Sequence, residues 1–291
     1  MTKQRLLVTG HTGFIGRAVS ARLQENGADW QGVSGRAGFA LERAESLDEV
    51  SVCDLIIHLA GITDVADSWQ RPAYFLRTNY LTTLTALEFA RKHNAAMLFV
   101  SSYMYGRPHI LPIDEAHPVS LENPYAASKH AGEELCRFYA ERFSIPVSIL
   151  RPFNIFGEGQ PNHALIPHVL RQALSTNEIN VKDLAPKRDY LYLEDFVNAI
   201  MSLVNCPPPA FEIYNIGTGR SHSVREVIET VGEILGVKLK INCAEEPRPN
   251  EIDDCYADIS KFAGGYNWRP TYSLREGLER IIAAMPARQA S

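Results

Sequence analysis

The chain has 291 residues, with 29 Lys and Arg against 34 Asp and Glu (net charge -5), 45% hydrophobic residues and 22% charged ones. Such a composition excludes a disordered chain, and 19 Gly with 17 Pro in no repeating period exclude a collagen-like one. The acidic balance argues against a nucleic-acid partner, and the lack of a long apolar span or secretory core argues against a membrane one, so the cytoplasm is the expected location.

In chain order, Arg5–Thr9 predicts a strand, and Phe14–Asn26 a helix in which Ile15, Val19 and Leu23 recur four apart before Gly27. Further strands are predicted at Trp30–Ser34, Asp54–Ala60, Ala96–Ser101 and Pro146–Arg151, with helices at Pro72–His93 and Tyr125–Phe143 between them. Short apolar runs alternating with helical periods mean parallel strands with crossover helices. Runs such as Leu55–Ile57 suit a sheet covered on both faces. Beyond residue 151 the rhythm loosens, Pro and Gly gather at 157–161 and 207–209, and helices are predicted at 194–204, 223–235 and 273–284. The expected class is α/β, with a doubly wound parallel sheet and a smaller, interleaved C-terminal domain. The five cysteines, Cys53, Cys136, Cys206, Cys243 and Cys255, form no C-x-x-C pair, so neither a disulfide framework nor a metal site is expected.

Gly10-His-Thr-Gly13-Phe-Ile-Gly16 follows the first strand and opens the first helix. Glycines there permit a tight turn and a close backbone approach to a pyrophosphate, and the helix N-terminus favours its charge. Gly10, Thr12, Gly13, Phe14, Ile15 and Gly16 are therefore candidate cofactor contacts. A NAD site commonly carries an acid at the end of its second strand to bond the ribose 2′-hydroxyl. Here that place reads Val33-Ser34-Gly35-Arg36. A small hydroxyl at Ser34 leaves room for a 2′-phosphate and Arg36 supplies charge to meet it, which favours NADP(H) over NAD(H).

Tyr125 and Lys129 lie four apart and share one helix face, while Ser101 ends a predicted parallel strand where open α/β sheets place ligands. An ammonium beside a phenol is expected to lower its pKa from about 10, fitting Tyr125 to exchange a proton with a substrate oxygen that Ser101 orients.

With Thr9–Gly16, His58-Leu-Ala-Gly61, Thr78-Asn79, Ser101–Gly106, Asn123–Lys129, Arg151-Pro-Phe-Asn154 and Arg188-Asp-Tyr190, the sequence resembles the extended short-chain dehydrogenases/reductases. That group comprises nucleotide-sugar epimerases, dehydratases and ketoreductases built on a Rossmann-type sheet. The resemblance implies a catalytic Ser101, Tyr125 and Lys129, with Tyr125 and Lys129 also meeting the cofactor. It places Leu59, Ala60, Gly61 and Asn79 along the cofactor, and Ser102, Tyr103, Asn154, Arg188 and Arg248 on a nucleoside-diphosphate sugar, the two arginines as diphosphate clamps. His58 is read as support for the strand end, and His163 and His168 receive no role. The implied division is 1–157 with 187–217 for the dinucleotide, and 158–186 with 218–291 for the sugar nucleotide. A homodimer paired through helices 72–93 and 125–143 is also implied; Leu81, Leu84, Leu87 and Phe89 are apolar positions on the first.

The sugar dehydratases of this group carry Asp and Glu where this chain has Ser102 and Tyr103, so a dehydratase is disfavoured. A ketoreductase consumes its cofactor and draws on NADPH, whereas a 4-epimerase regenerates it in each turnover. Ser34 and Arg36 therefore tilt the expectation to an NADPH-dependent reductase of a nucleoside-diphosphate 4-keto-6-deoxy-hexose, with the 4-epimerase as the alternative. A non-catalytic NADP(H)-sensing protein is the reading from another class, and it has no need of Ser101, Tyr125 and Lys129 together.

Overall fold

The computed structural model describes residues 4–35, 38, 40–206, 209–246 and 251–285. In chain order the strands and helices are β1 (Arg5–Thr9), α1 (Phe14–Glu25), β2 (Asp29–Val33), β3 (Leu55–His58), α2 (Val65–Gln70), α3 (Pro72–His93), β4 (Ala96–Val100), α4 (Pro124–Phe143), β5 (Val147–Pro152), β6 (Asn154–Phe156), α5 (Leu165–Ser175), β7 (Glu178–Val181), β8 (Lys187–Arg188), β9 (Tyr190–Tyr192), α6 (Leu193–Val204), β10 (Phe211–Ile216), β11 (His222–Ser223), α7 (Val224–Leu235), β12 (Lys240–Cys243), α8 (Ser260–Tyr266) and α9 (Leu274–Ala284).

Two compact units emerge. The first contains Met1–Gly106, Pro118–Pro152 and Val197–Asn215; the second contains Arg107–His117, Phe153–Phe196 and Ile216–Ser291. Relative to the expected division, 107–117, 153–157 and 187–196 fall with the second unit, and the last boundary comes after Asn215, one residue before the end of β10.

The first unit is organised by a six-stranded sheet in the order β10-β5-β4-β3-β1-β2. Pairings among β1 to β5 are parallel, with Leu6 opposite Leu55 and Trp30, and Met97 opposite Val147. The order turns back at β1 and β3, a topological switch point whose strand ends, at Thr9 and His58, open the crevice used by ligands in such sheets. Leu7, Ile56, Met97, Phe99, Val147 and Ile149 pack against Leu87 and Ala90 of α3 and Cys136 and Tyr139 of α4. Each large side chain so buried contributes roughly 1.5–3 kcal/mol.

Local chemistry explains why α4 begins where it does. Asn123 caps it by accepting the Ala126 N–H at 2.8 Å, and Pro124 occupies the first turn, where a missing N–H costs nothing. The second unit is built on another core, in which Phe156, Val169, Val231 and Leu278 are buried together. Its helix α7 opens with a capping box between Ser223 and Glu226. All five cysteines are free. Among the described residues there is no cluster of metal-binding side chains and no helix long and apolar enough to cross a membrane.

Candidate active site

The loop between β1 and α1 is held by Gly10 N–H to the Val33 carbonyl at 2.7 Å and Gly13 N–H to the Gly10 carbonyl at 2.9 Å. Gly10 sits at φ +74°, and a Cβ there would lie 2.8 Å from the Ala60 nitrogen; one on Gly16 would lie 2.1 Å from the Gly10 oxygen. The loop therefore presses directly on the Leu59–Ala60 turn, and only glycine fits these two contacts. No side chain caps α1 and no acid stands in its first turn, so its leading N–H groups suit an anion. A dinucleotide pyrophosphate fits this cradle.

At the end of β2, the Ser34 hydroxyl is buried and lies 2.9 Å from the Thr12 hydroxyl. Thus a hydroxyl pair occupies the ground where a NAD site commonly has its carboxylate. Arg36 lies outside the described residues.

The turn after β3 is anchored from both sides. Leu59 N–H donates to the Thr9 carbonyl at 3.1 Å, and Asn79 accepts the Ile62 N–H at 2.8 Å while donating to the Ser128 hydroxyl at 2.7 Å. Ser128 in turn donates to the Tyr125 carbonyl at 2.7 Å, so one chain of bonds joins the turn to the first turn of α4. His58 is fully buried, pairs with the hydroxyls of Thr9 (2.8 Å) and Thr83 (3.4 Å), and stacks on Phe99. Burial, aided by the Lys129 charge, lowers its pKa to about 3, so it stays neutral and braces the strand ends through side chains rather than moving protons.

Ser101, Tyr125 and Lys129 converge on the end of β4. Lys129 Nζ donates to the Val100 carbonyl at 2.7 Å and lies 4.4 Å from the centre of the Phe99 ring. The Ser101 hydroxyl is buried and has no hydrogen-bond partner, and the Ser102 hydroxyl donates to the Tyr103 carbonyl at 3.5 Å. Burial raises the Tyr125 pKa above the ordinary phenol value, with Ser102 acting in the opposite sense. This corrects the expectation that Lys129 would lower it: the ammonium is taken up by a backbone carbonyl and a ring, and burial brings Lys129 itself down to about 8, with Glu133 pulling upward.

Glu133 stands one helical turn beyond Lys129 and belongs to a network that residue spacing alone does not reveal. It takes a two-point bond from Arg151, at 2.6 and 3.0 Å, with both side chains more than nine-tenths buried. Arg151 also donates to the Tyr105 hydroxyl at 3.0 Å, and Tyr105 to Asn215 at 2.6 Å. The only available signals were the Lys129–Glu133 spacing and Arg151 at the head of the Arg151–Asn154 motif.

Tyr103 is half-buried, its N–H donating to the Pro152 carbonyl at 3.3 Å. Asn154 and Arg188 belong to the second unit. There Asn154 donates to the Asp189 carbonyl at 3.4 Å, while the Arg188 guanidinium pairs with Glu251 and donates to the Ile252 carbonyl at 2.6 Å. Arg248 lies outside the described residues. His168 bonds the Asn180 carbonyl and Arg171 on the surface of α5. Also in this unit, Lys187 and Arg225, which sequence reasoning passed over, line a cavity of about 540 Å³.

The family model described as "NAD dependent epimerase/dehydratase family" matches residues 6–217. A GDP-6-deoxy-D-mannose reductase of Pseudomonas aeruginosa is 31% identical over 304 residues, covering 98% of each chain. Among solved structures, one described as RMD from Pseudomonas aeruginosa complexed with NADPH aligns over 97% of this chain and 98% of its own, at 30% identity and a TM-score of 0.89. A UDP-glucose 4-epimerase of Thermotoga maritima with UDP-glucose aligns over 96% and 97%, at 26% identity and a TM-score of 0.89.

Proposed function

The chain belongs to the NAD dependent epimerase/dehydratase family, and from that premise we propose that it is an NADPH-dependent reductase of the 4-keto group of a nucleoside-diphosphate 4-keto-6-deoxy-hexose. Membership makes it an NAD(P)-dependent oxidoreductase-type enzyme of the nucleotide-sugar epimerase and reductase group, with the α/β fold of the Rossmann-type enzymes. The observation that carries the reductase reading is the Thr12–Ser34 hydroxyl pair at the end of β2: it offers a 2′-phosphate hydrogen bonds, and it puts no negative charge in its way. The relative named as a reductase and the neighbour complexed with NADPH support the same choice.

When bound, the nicotinamide supplies the hydride that the C4 carbonyl accepts. Tyr125 gives the carbonyl oxygen its proton, and burial keeps that proton on the phenol at neutral pH, as a donor in the reductive direction requires. The unpartnered Ser101 hydroxyl orients the same oxygen. Lys129 holds the end of β4 through one N–H to Val100, and its remaining N–H donors would serve the nicotinamide ribose hydroxyls. The glycine cradle takes the pyrophosphate, and Leu59 to Gly61 with Asn79 border the rest of the cofactor. Arg188, Arg248, Asn154, Ser102 and Tyr103 serve the sugar nucleotide.

Nicotinamide absorbance with NADPH and with NADH, against GDP-, dTDP-, CDP- and UDP-linked 4-keto-6-deoxy sugars, tests this. The expected result is consumption of NADPH with kcat/KM at least about tenfold above that with NADH, a difference of about 1.4 kcal/mol. C4 interconversion of ordinary sugar nucleotides without net consumption identifies a 4-epimerase instead, the activity named for the Thermotoga maritima neighbour.

We also propose a homodimer paired through α3 and α4. Leu87 and Phe89 face the chain's own core, but Leu76 and Tyr80, four apart on α3, and Phe138 on α4 leave large apolar surfaces exposed. Light scattering is expected to give twice the chain mass, falling to one chain mass in Tyr80→Asp/Phe138→Asp; a wild-type monomer dismisses the dimer.

A further inference from the structure

We propose that Tyr105 is a positioning residue for Ser101, held in place by the Arg151 guanidinium; this rests on the reading above, in which the Ser101 hydroxyl orients the substrate oxygen. Among the described residues that hydroxyl has no hydrogen-bond partner, so its place is set by the main chain that carries it. Strands β4 and β5 run parallel, with Val100 opposite Leu150. Their pairing continues past the end of β4, with Ser101 N–H donating to the Leu150 carbonyl at 2.7 Å and Tyr103 N–H to the Pro152 carbonyl at 3.3 Å. These two bonds fall on either side of Arg151. Tyr105 then returns to the same residue: it is 1% exposed, its hydroxyl accepts from Arg151 Nη1 at 3.0 Å and donates to Asn215 Oδ1 at 2.6 Å, and its ring centre lies 5.2 Å from the guanidinium carbon.

Arg151 is fixed from its other side as well. Its Nε and Nη2 reach the two Glu133 oxygens at 3.0 and 2.6 Å, and Glu133 stands on α4 one turn beyond Lys129 and two beyond Tyr125. A guanidinium is a planar fork, so two of its nitrogens committed to Glu133 set the direction of the third, Nη1. One rigid group therefore spans from the helix that carries Tyr125 and Lys129 to the loop that carries Ser101. A phenol suits the junction because it accepts from the cation and donates to Asn215 on β10, the strand beside β5, at the same time. A phenylalanine makes neither bond, and the loop is then tied to Arg151 through its main chain and ring alone. Proton transfer tolerates little of the drift that follows, since a displacement on the order of 1 Å at reacting groups costs up to about 10²-fold in rate.

Steady-state reduction by the full chain with NADPH tests this, on whichever of the GDP-, dTDP-, CDP- and UDP-linked 4-keto-6-deoxy sugars the wild type reduces fastest. Tyr105→Phe keeps the ring over the guanidinium and removes the hydroxyl. It is expected to lower kcat about 10- to 100-fold, with KM for the sugar nucleotide and affinity for NADPH within about threefold of wild type. The deciding readout is a double-mutant cycle. In a chain already carrying Ser101→Ala, the same Tyr105→Phe change is expected to cost less than about twofold, because the hydroxyl it positions is gone. A purely structural role moves the thermal midpoint and leaves the two losses equal. Asn215→Ala removes the acceptor of Tyr105 without touching the ion pair, and it supplies the same cycle if Tyr105→Phe does not fold. Equal losses with and without the Ser101 hydroxyl, or turnover by Tyr105→Phe within about twofold of wild type, overturn the positioning role while leaving the reductase reading standing. Failure of the wild type to reduce any of the four sugars overturns both.

Discussion

Tyr125→Phe is expected to lower turnover by about 10²- to 10⁴-fold while leaving NADPH affinity within about twofold. The substitution removes one oxygen and leaves the hydrogen bonds of the cofactor cradle, Gly10 to Val33 and Gly13 to Gly10, untouched. Asn79, Ser128 and the Tyr125 carbonyl keep their bonds, so the first turn of α4 stays tied to the turn after β3. Single-turnover reduction followed by nicotinamide absorbance measures the loss, and fluorescence titration with NADPH measures what is retained. Turnover within threefold of wild type would remove Tyr125 from the chemistry and leave a nucleotide-binding scaffold.

Glu133→Ala carries the largest expected cost in stability, about 3–5 kcal/mol, because it leaves the Arg151 guanidinium charged and buried without its partner. In the intact pair Glu133 more than offsets the downward pull of burial on the Arg151 pKa; a guanidinium keeps its proton even without that partner, so truncation cannot be relieved by loss of the charge. Replacing both residues, as in Glu133→Leu/Arg151→Met, is expected to return most of the loss, since no charge then remains inside. Urea unfolding of the three proteins reads this directly; a single variant as stable as wild type would show the pair to be dispensable. The same change reaches Lys129. Glu133 pulls the Lys129 pKa upward against burial, so its removal lets that amine lose its proton below about pH 8, nearer neutrality. The alkaline limb of the pH–rate profile is expected to move to lower pH in any Glu133→Gln enzyme that folds.

Much of the first unit was legible because its signals are long or local. Continuous apolar strands and three widely spaced glycines predicted β1, α1 and the cradle, and the strand ends needed shifts of only one or two residues: β2 starts at Asp29, and β3 stops at His58 because the chain leaves the ladder to meet Thr9 and Asn79. The second unit was harder. Strands β6, β8, β9 and β11 have two or three residues each, too few for a period to register. Helix α5 is not among the predicted elements; its Pro167 stands in the first turn, where its N–H would have had no partner, and so does not break it. Spacing identified Tyr125 and Lys129 as neighbours on a helix, but what the ammonium touches depends on where β4 ends, a tertiary fact. Hence the direction of the Tyr125 pKa shift was misjudged although the residue itself was picked out.

The seating of the glycine loop on the Leu59–Ala60 backbone constrains engineering. Main chain rests on main chain at Gly10, so the loop's shape is matched to a segment some fifty positions away, with no side chain between them to absorb a misfit. A chimera that imports a foreign cradle to switch coenzyme use must import the matching turn with it. Conversely, reprogramming that edits only the region after β2 leaves this mated surface undisturbed, and is the economical route.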